Sequence, residues 1–185
     1  IYRGLTLVYT DGNPITGIGD SFIFKYMGRG YLFGIPFPVV VMLLFFGVLY
    51  VLLHKMTFGR KTFALGGNEK AAFIAGIKSD RIKIAIYSIS GLMAAVAGII
   101  ITSRLNSAQP TAGNAYEMDA IASVVLGGTS LSGGRGRLVG TLIGALIIGT
   151  LNNGLNLLGV SSFYQQVVKG VVIIIAVLLD RKNKK

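Results

Sequence analysis

Glu117 and Asp119 are the most closely spaced carboxylates in this chain, and paired carboxylates are what general acid–base hydrolysis requires. Two positions apart, they do not share a helix face, and acidic residues at a helix start favour the N-terminal dipole, so capping explains them better than catalysis. With one histidine, His54, and no cysteine, neither a histidine cluster nor a thiolate site is available, and no metal site is expected. The run 124–137, VVLGGTSLSGGRGR, has the glycine content of a phosphate-cradling loop. It lacks G-x-x-x-x-G-K-[ST], and Gly134, Gly136 and Gly140 are not spaced as G-x-G-x-x-G, so phosphate binding is rejected. No catalytic constellation remains, and the chain is not expected to be an enzyme.

The remaining polar groups suit recognition rather than bond-breaking. Asn152 and Asn156 share a helix face by their i, i+4 spacing, and carboxamides that both donate and accept suit a polyhydroxylated solute. Hydrogen bonding between helices explains them almost as well. Arg104, Asn106 and Gln109 form a second polar group that reads equally as interfacial anchoring. Gly127, Gly128 and Thr129 interrupt an apolar run. A broken helix at membrane depth lines a substrate path in many transporters, whereas tight packing against a neighbouring helix is the plainer explanation. Asn106, Gln109, Gly127, Gly128, Thr129, Asn152 and Asn156 are therefore the candidate lining of a translocation path.

The elements that hold these residues are membrane helices. Mean hydropathy is +0.68, with 52% hydrophobic and only 14% charged residues, a composition that lipid accepts and water does not. Segments 35–53, 82–103 and 138–160 are each long enough to cross about 30 Å of hydrocarbon. Segment 163–179 is near the lower limit and contains Lys169, whose stem snorkels or whose charge faces protein. The apolar core of segment 116–134 is too short to cross as one helix, so it is a broken or re-entrant element. Gly140 and Gly144, like Gly91, Ala94, Ala95 and Gly98, have the small-xxx-small spacing that permits close helix approach.

The formal charge of +11 orients the chain rather than binding nucleic acid. Thirteen of the 18 Lys/Arg lie in the loop 54–83, at Arg135 and Arg137, and in the tail from Arg181, which puts all three on the cytoplasmic side. Segment 116–134 must then return the chain across the bilayer, making about five crossings. The fold class expected is all-α: a polytopic helical membrane protein with one short broken helix, its C-terminus cytoplasmic. Residues 1–34 read as an external loop with a short interfacial helix. The first residue is Ile1, and the chain reads as the C-terminal part of something longer.

In the loop 54–83, Gly66-Gly67 is expected to break the chain, with Asn68 as the N-cap of a short helix, Glu69 at its positive end, and Gly76 stopping it. Such a helix either lies on its own protein or inserts into a groove of a cytoplasmic partner.

The runs GRKTFALGGNEKAAFIAGI and RLNSAQPTAGNAYEMDAIASVVLGGTSLSGGRGRLVGTLIGALIIGTLNNGLNLLGVSSFYQ, with the basic C-terminus, closely resemble the permeases for ribose and related sugars of bacterial ATP-binding cassette importers. The resemblance spans nearly the whole chain, weakest before residue 54. It implies a multi-pass bacterial inner-membrane subunit that pairs with a second permease copy, below a periplasmic sugar-binding protein and above two ATPase domains. It also implies that no cofactor is held by this chain, ATP and Mg belonging to the partner ATPase. The coupling loop of that family falls on 60–76, which makes Arg60, Gly66, Gly67, Asn68, Glu69, Ala72 and Gly76 the candidate ATPase contacts. Family members have about twice as many spans. A passive channel with VLGGTS as a re-entrant filter, a non-transporting scaffold, and a permease for another small polar solute are the competing expectations.

Overall fold

The computed structural model describes residues 1–18 and 21–182. Lys184 and Lys185, which entered the charge argument as part of the tail, lie outside the described residues. The chain is mostly helical and separates into two compact units, 1–51 with 80–114 and 52–79 with 115–185.

The first unit holds helices α1 (Tyr2–Thr10), α2 (Phe22–Arg29), most of α3 (Phe37–His54) and α6 (Ser79–Leu105). The stretch 1–34 thus carries two helices rather than a loop with one. Two two-residue antiparallel pairs qualify the all-α expectation: β1 (Ile15–Thr16) with β4 (Ser107–Ala108), and β2 (Tyr31–Leu32) with β3 (Ile35–Pro36). The α3 helix begins just after Pro36 and admits Pro38 in its first turn, where a missing N–H costs nothing. Gly28 of α2 rests on the backbone of Ser103 and Arg104, and the Ser103 hydroxyl donates to the Phe24 carbonyl. Arg29 Nε donates to the Arg104 carbonyl at 3.0 Å. Those two arginines line a cleft of about 500 Å³ with Tyr31, Pro36 and Val39.

The second unit holds α4 (Thr57–Gly67), α5 (Glu69–Ile74), α7 (Tyr116–Leu126), α8 (Leu138–Leu157) and α9 (Ser162–Lys182). The α7 helix packs on both α8 and α9. Small residues make the α7–α8 approach close. A Cβ on Gly127 would stand 2.5 Å from the Gly140 carbonyl carbon, and one on Gly144 would run into the Ser123 carbonyl oxygen. The expected role of Gly140 and Gly144 in close packing is what this geometry displays.

Among the described residues, three helices are long and apolar enough to cross a membrane: α3, α6 and α8. They coincide with the three strongest apolar segments of the sequence. The α7 helix has 11 residues, about 17 Å at 1.5 Å per residue, and cannot span alone.

Candidate functional site

The α4–α5 hairpin is built from its caps. Asn68 sits in extended conformation between the two helices, and its Oδ1 accepts from the Ala71 amide at 3.0 Å, with Glu69 in the first turn of α5. The far end closes on Gly76 at φ +79°. There the Gly76 amide donates to the Phe73 carbonyl at 2.9 Å and the Ile77 amide to the Ala72 carbonyl at 3.0 Å, both bonds of a Schellman turn. The expected N-cap and stop are therefore both present. Replacing Asn68 with Ala removes the side-chain cap of α5 and should cost about 1 kcal/mol of hairpin stability. Faster amide exchange across 69–75 in the variant is the measurement that checks it.

Two features of the loop differ from expectation. An entire helix, α4, precedes the short one, and Gly66-Gly67 is the last turn of α4 rather than a break. Glycine is tolerated there because another backbone passes close by. A Cβ on Gly66 would lie 2.8 Å from the Gly134 amide nitrogen, one on Gly134 would lie 2.8 Å from the Gly67 Cα, and one on Gly133 would strike the Gly66 carbonyl oxygen. Gly133 and Gly134 also carry φ of +85° and +75°, a region that other residues enter only under strain.

Burial sorts the faces of the hairpin. Leu65 and Ala72 are buried, whereas Phe73 and Ile74 are 73% and 85% exposed. Arg60, Asn68 and Glu69 are also on the exposed side. Two large apolar side chains thus stand outward at the tip of a tightly capped helix.

The interrupted segment after α7 is a helix end. Gly128 at φ +79° donates to the Val125 carbonyl at 2.9 Å and Thr129 to the Val124 carbonyl at 3.1 Å, a second Schellman turn. The loop then closes on itself, with the Ser130 amide donating to the Arg135 carbonyl at 3.0 Å and the Gly133 amide to the Ser130 carbonyl at 3.1 Å. A Cβ on Gly136 would press on Thr129 at 2.9 Å. Gly127 is occupied in packing on Gly140.

Asn152 and Asn156 both turn into the helix bundle. Asn152 Nδ2 donates to Asp119 Oδ2 at 3.4 Å, and Asn156 Oδ1 accepts from the buried Gln165 at 2.8 Å. They hydrogen-bond α8 to its neighbours, the plainer of the two readings drawn from their spacing. Asn106, at φ +52°, and Gln109 belong to the other unit.

A constellation that spacing alone did not reveal joins Asp119 to Lys169. The ammonium lies 2.9 Å from Asp119 Oδ2 in hydrogen-bond geometry and 2.8 Å from Oδ1, which it reaches by charge alone. Asn152 Oδ1 is buried nearby without a hydrogen-bond partner. The signal was present in the sequence as a lysine inside an apolar segment, a setting in which the charge favours an opposite partner. Its partner is 50 residues away and no local period points to it.

Three membrane-length apolar helices and a capped hairpin with an apolar tip describe a polytopic membrane protein. The chain belongs to the family described as branched-chain amino acid transport system / permease component, whose model matches residues 4–177. Among curated proteins it is 72% identical over 183 residues to the ribose import permease protein RbsC of Bacillus subtilis (strain 168), covering 99% of this chain and 57% of that relative. RbsC of Escherichia coli (strain K12) is 56% identical over 186 residues, 100% of this chain and 58% of its own length. The D-allose transport system permease protein AlsC of Escherichia coli (strain K12) is 46% identical over 185 residues. The chain therefore spans somewhat over half the length of these relatives. No solved structure matches. The resemblance to sugar permeases read from the quoted runs is borne out.

Proposed function

We propose that this chain is part of the membrane-spanning permease subunit of an ATP-binding cassette importer for ribose or a related monosaccharide. It does not hydrolyse ATP itself; ATP and Mg belong to a partner ATPase, and a periplasmic sugar-binding protein delivers the solute to a pair of permease copies. The names of the relatives support the solute class. The observation that carries the ATP-driven reading is the α4–α5 hairpin, whose exposed Phe73 and Ile74 fit a helix-in-groove contact with a soluble partner. The basic residues of 54–83, Arg135 and Arg137 favour a cytoplasmic position for this hairpin in the bacterial inner membrane. Five crossings follow when α7 and the loop 127–137 together return the chain and α9 crosses again.

A passive channel has less support. Its filter would be VLGGTS, whose backbone groups are taken up in a helix-ending turn and a closed loop rather than aimed at a permeating solute. Replacing Phe73 and Ile74 together with Ala should abolish co-purification of the ATPase and stop ribose uptake, while the permease still reaches the membrane. Unchanged ATPase capture by the double variant would overturn the coupling role of α5.

A further inference from the structure

Gly66 and Gly67 end α4, and Gly133 and Gly134 form the far side of the loop between α7 and α8; the two pairs meet backbone to backbone. Nothing in the local chemistry of either pair demands this meeting. Gly66-Gly67 is not needed to end α4, because Asn68 already interrupts the helix. Two glycines in a helical turn lower helix stability relative to alanine, and the positive φ of Gly133 and Gly134 excludes ordinary residues. The close approach is what these four positions have in common.

The contact has a mechanical property that side-chain packing lacks. A side chain between two segments absorbs a displacement by changing rotamer, whereas backbone against backbone has no rotamer to change. On one side of it the chain runs through Asn68 into α5 and its exposed apolar tip. On the other, Arg135 to Arg137 lead directly into α8, while Gly127 rests on Gly140 and so ties the same loop to the α7–α8 crossing. A push on α5 reaches two helices of the bundle without passing through the chain between residues 67 and 133.

We propose that the meeting of Gly66-Gly67 with Gly133-Gly134 is the joint through which movement of the α4–α5 hairpin is passed to α7 and α8, a proposal that rests on the coupling role of α5. Gly66, Gly133 and Gly134 are positioning residues in this scheme, since none touches ATP or solute.

Gly66 and Gly67 supply a matched pair of variants. Both are helical, so alanine is locally favourable at either. At Gly66 the new Cβ meets the Gly134 nitrogen at 2.8 Å, whereas at Gly67 it meets only the Gly134 Cα at 3.9 Å, an ordinary contact. The full-length permease carrying Gly66→Ala is to be reconstituted in proteoliposomes with its ATPase and binding protein and given radiolabelled ribose. The expected result is normal ATPase capture and continued ATP hydrolysis, with ribose uptake per ATP lower by about tenfold, within the range of allosteric coupling. Gly67→Ala, whose new Cβ makes only an ordinary contact, should retain several times the uptake per ATP of Gly66→Ala. Equal uptake in the two variants overturns the joint while leaving the coupling role of α5 intact. Loss of ATPase capture by Gly66→Ala also overturns it, because the defect then lies at the docking surface. Failure of the Phe73 and Ile74 double variant to release the ATPase, by contrast, removes the underlying coupling reading.

Discussion

Lys169→Met is expected to destabilise the second unit by about 2 kcal/mol, below the roughly 3–5 kcal/mol that removing one partner of a fully buried ion pair costs, because this pair is only partly buried. The loss comes less from the attraction given up than from what is left behind. Asp119 would keep a carboxylate whose side chain is only 20% exposed, with the 3.4 Å bond from Asn152 as its remaining side-chain donor. Lys169 lies seven residues into α9, about 10 Å along the helix axis from Ser162, so water is a poor substitute. Asp119→Leu should be comparably costly, since it strands the ammonium. The informative variant is the pair. Asp119→Asn with Lys169→Gln removes both charges and retains groups able to hydrogen-bond, and it should recover most of the loss of either single change. Thermal unfolding of the detergent-solubilised permease in a double-mutant cycle closed by the single variants Asp119→Asn and Lys169→Gln measures this coupling. Simple additivity of the two single losses would show that the pair is not an energetic unit.

That pair also marks where sequence reading ends. The three strongest spans were legible because crossing a bilayer imposes one crude requirement, a long apolar run, and α3, α6 and α8 each meet it within one chain segment. The α5 helix was legible for a similar local reason, its signals lying within the nine residues from Asn68 to Gly76. The α4 helix was not, since glycine raises helix cost and Gly66-Gly67 therefore reads as a break. What overrides propensity there is a tertiary contact with a loop 67 residues downstream. The partner of Lys169 was hidden in the same way. The i, i+4 spacing of Asn152 and Asn156 set them on one face of α8, while only the fold put Asp119 and Gln165 against that face.

The helical spacing of Gly140 and Gly144 leads to the other large effect. Gly144→Leu is expected to destabilise the α7–α8 pair by about 3 kcal/mol, the upper end of what overpacking costs. Glycine to leucine in a helix is favourable by propensity alone, so any loss must come from what the side chain meets. It meets the Ser123 carbonyl oxygen, which is backbone and cannot change rotamer. That oxygen is also held in place by accepting the Gly127 amide at 3.0 Å. The α7 helix must therefore move as a whole, which opens the Gly127–Gly140 contact and draws Asp119 from Asn152. Gly149, five residues along the same helix, has no atom within 4 Å of its Cβ position and serves as the contrast. Gly149→Leu should leave the unfolding temperature of the solubilised permease unchanged or slightly raised, and Gly144→Leu should lower it by several degrees. Equal losses at both positions would mean that bulk on α8 is harmful in general, and the close crossing at Ser123 would then not be what requires glycine at 144.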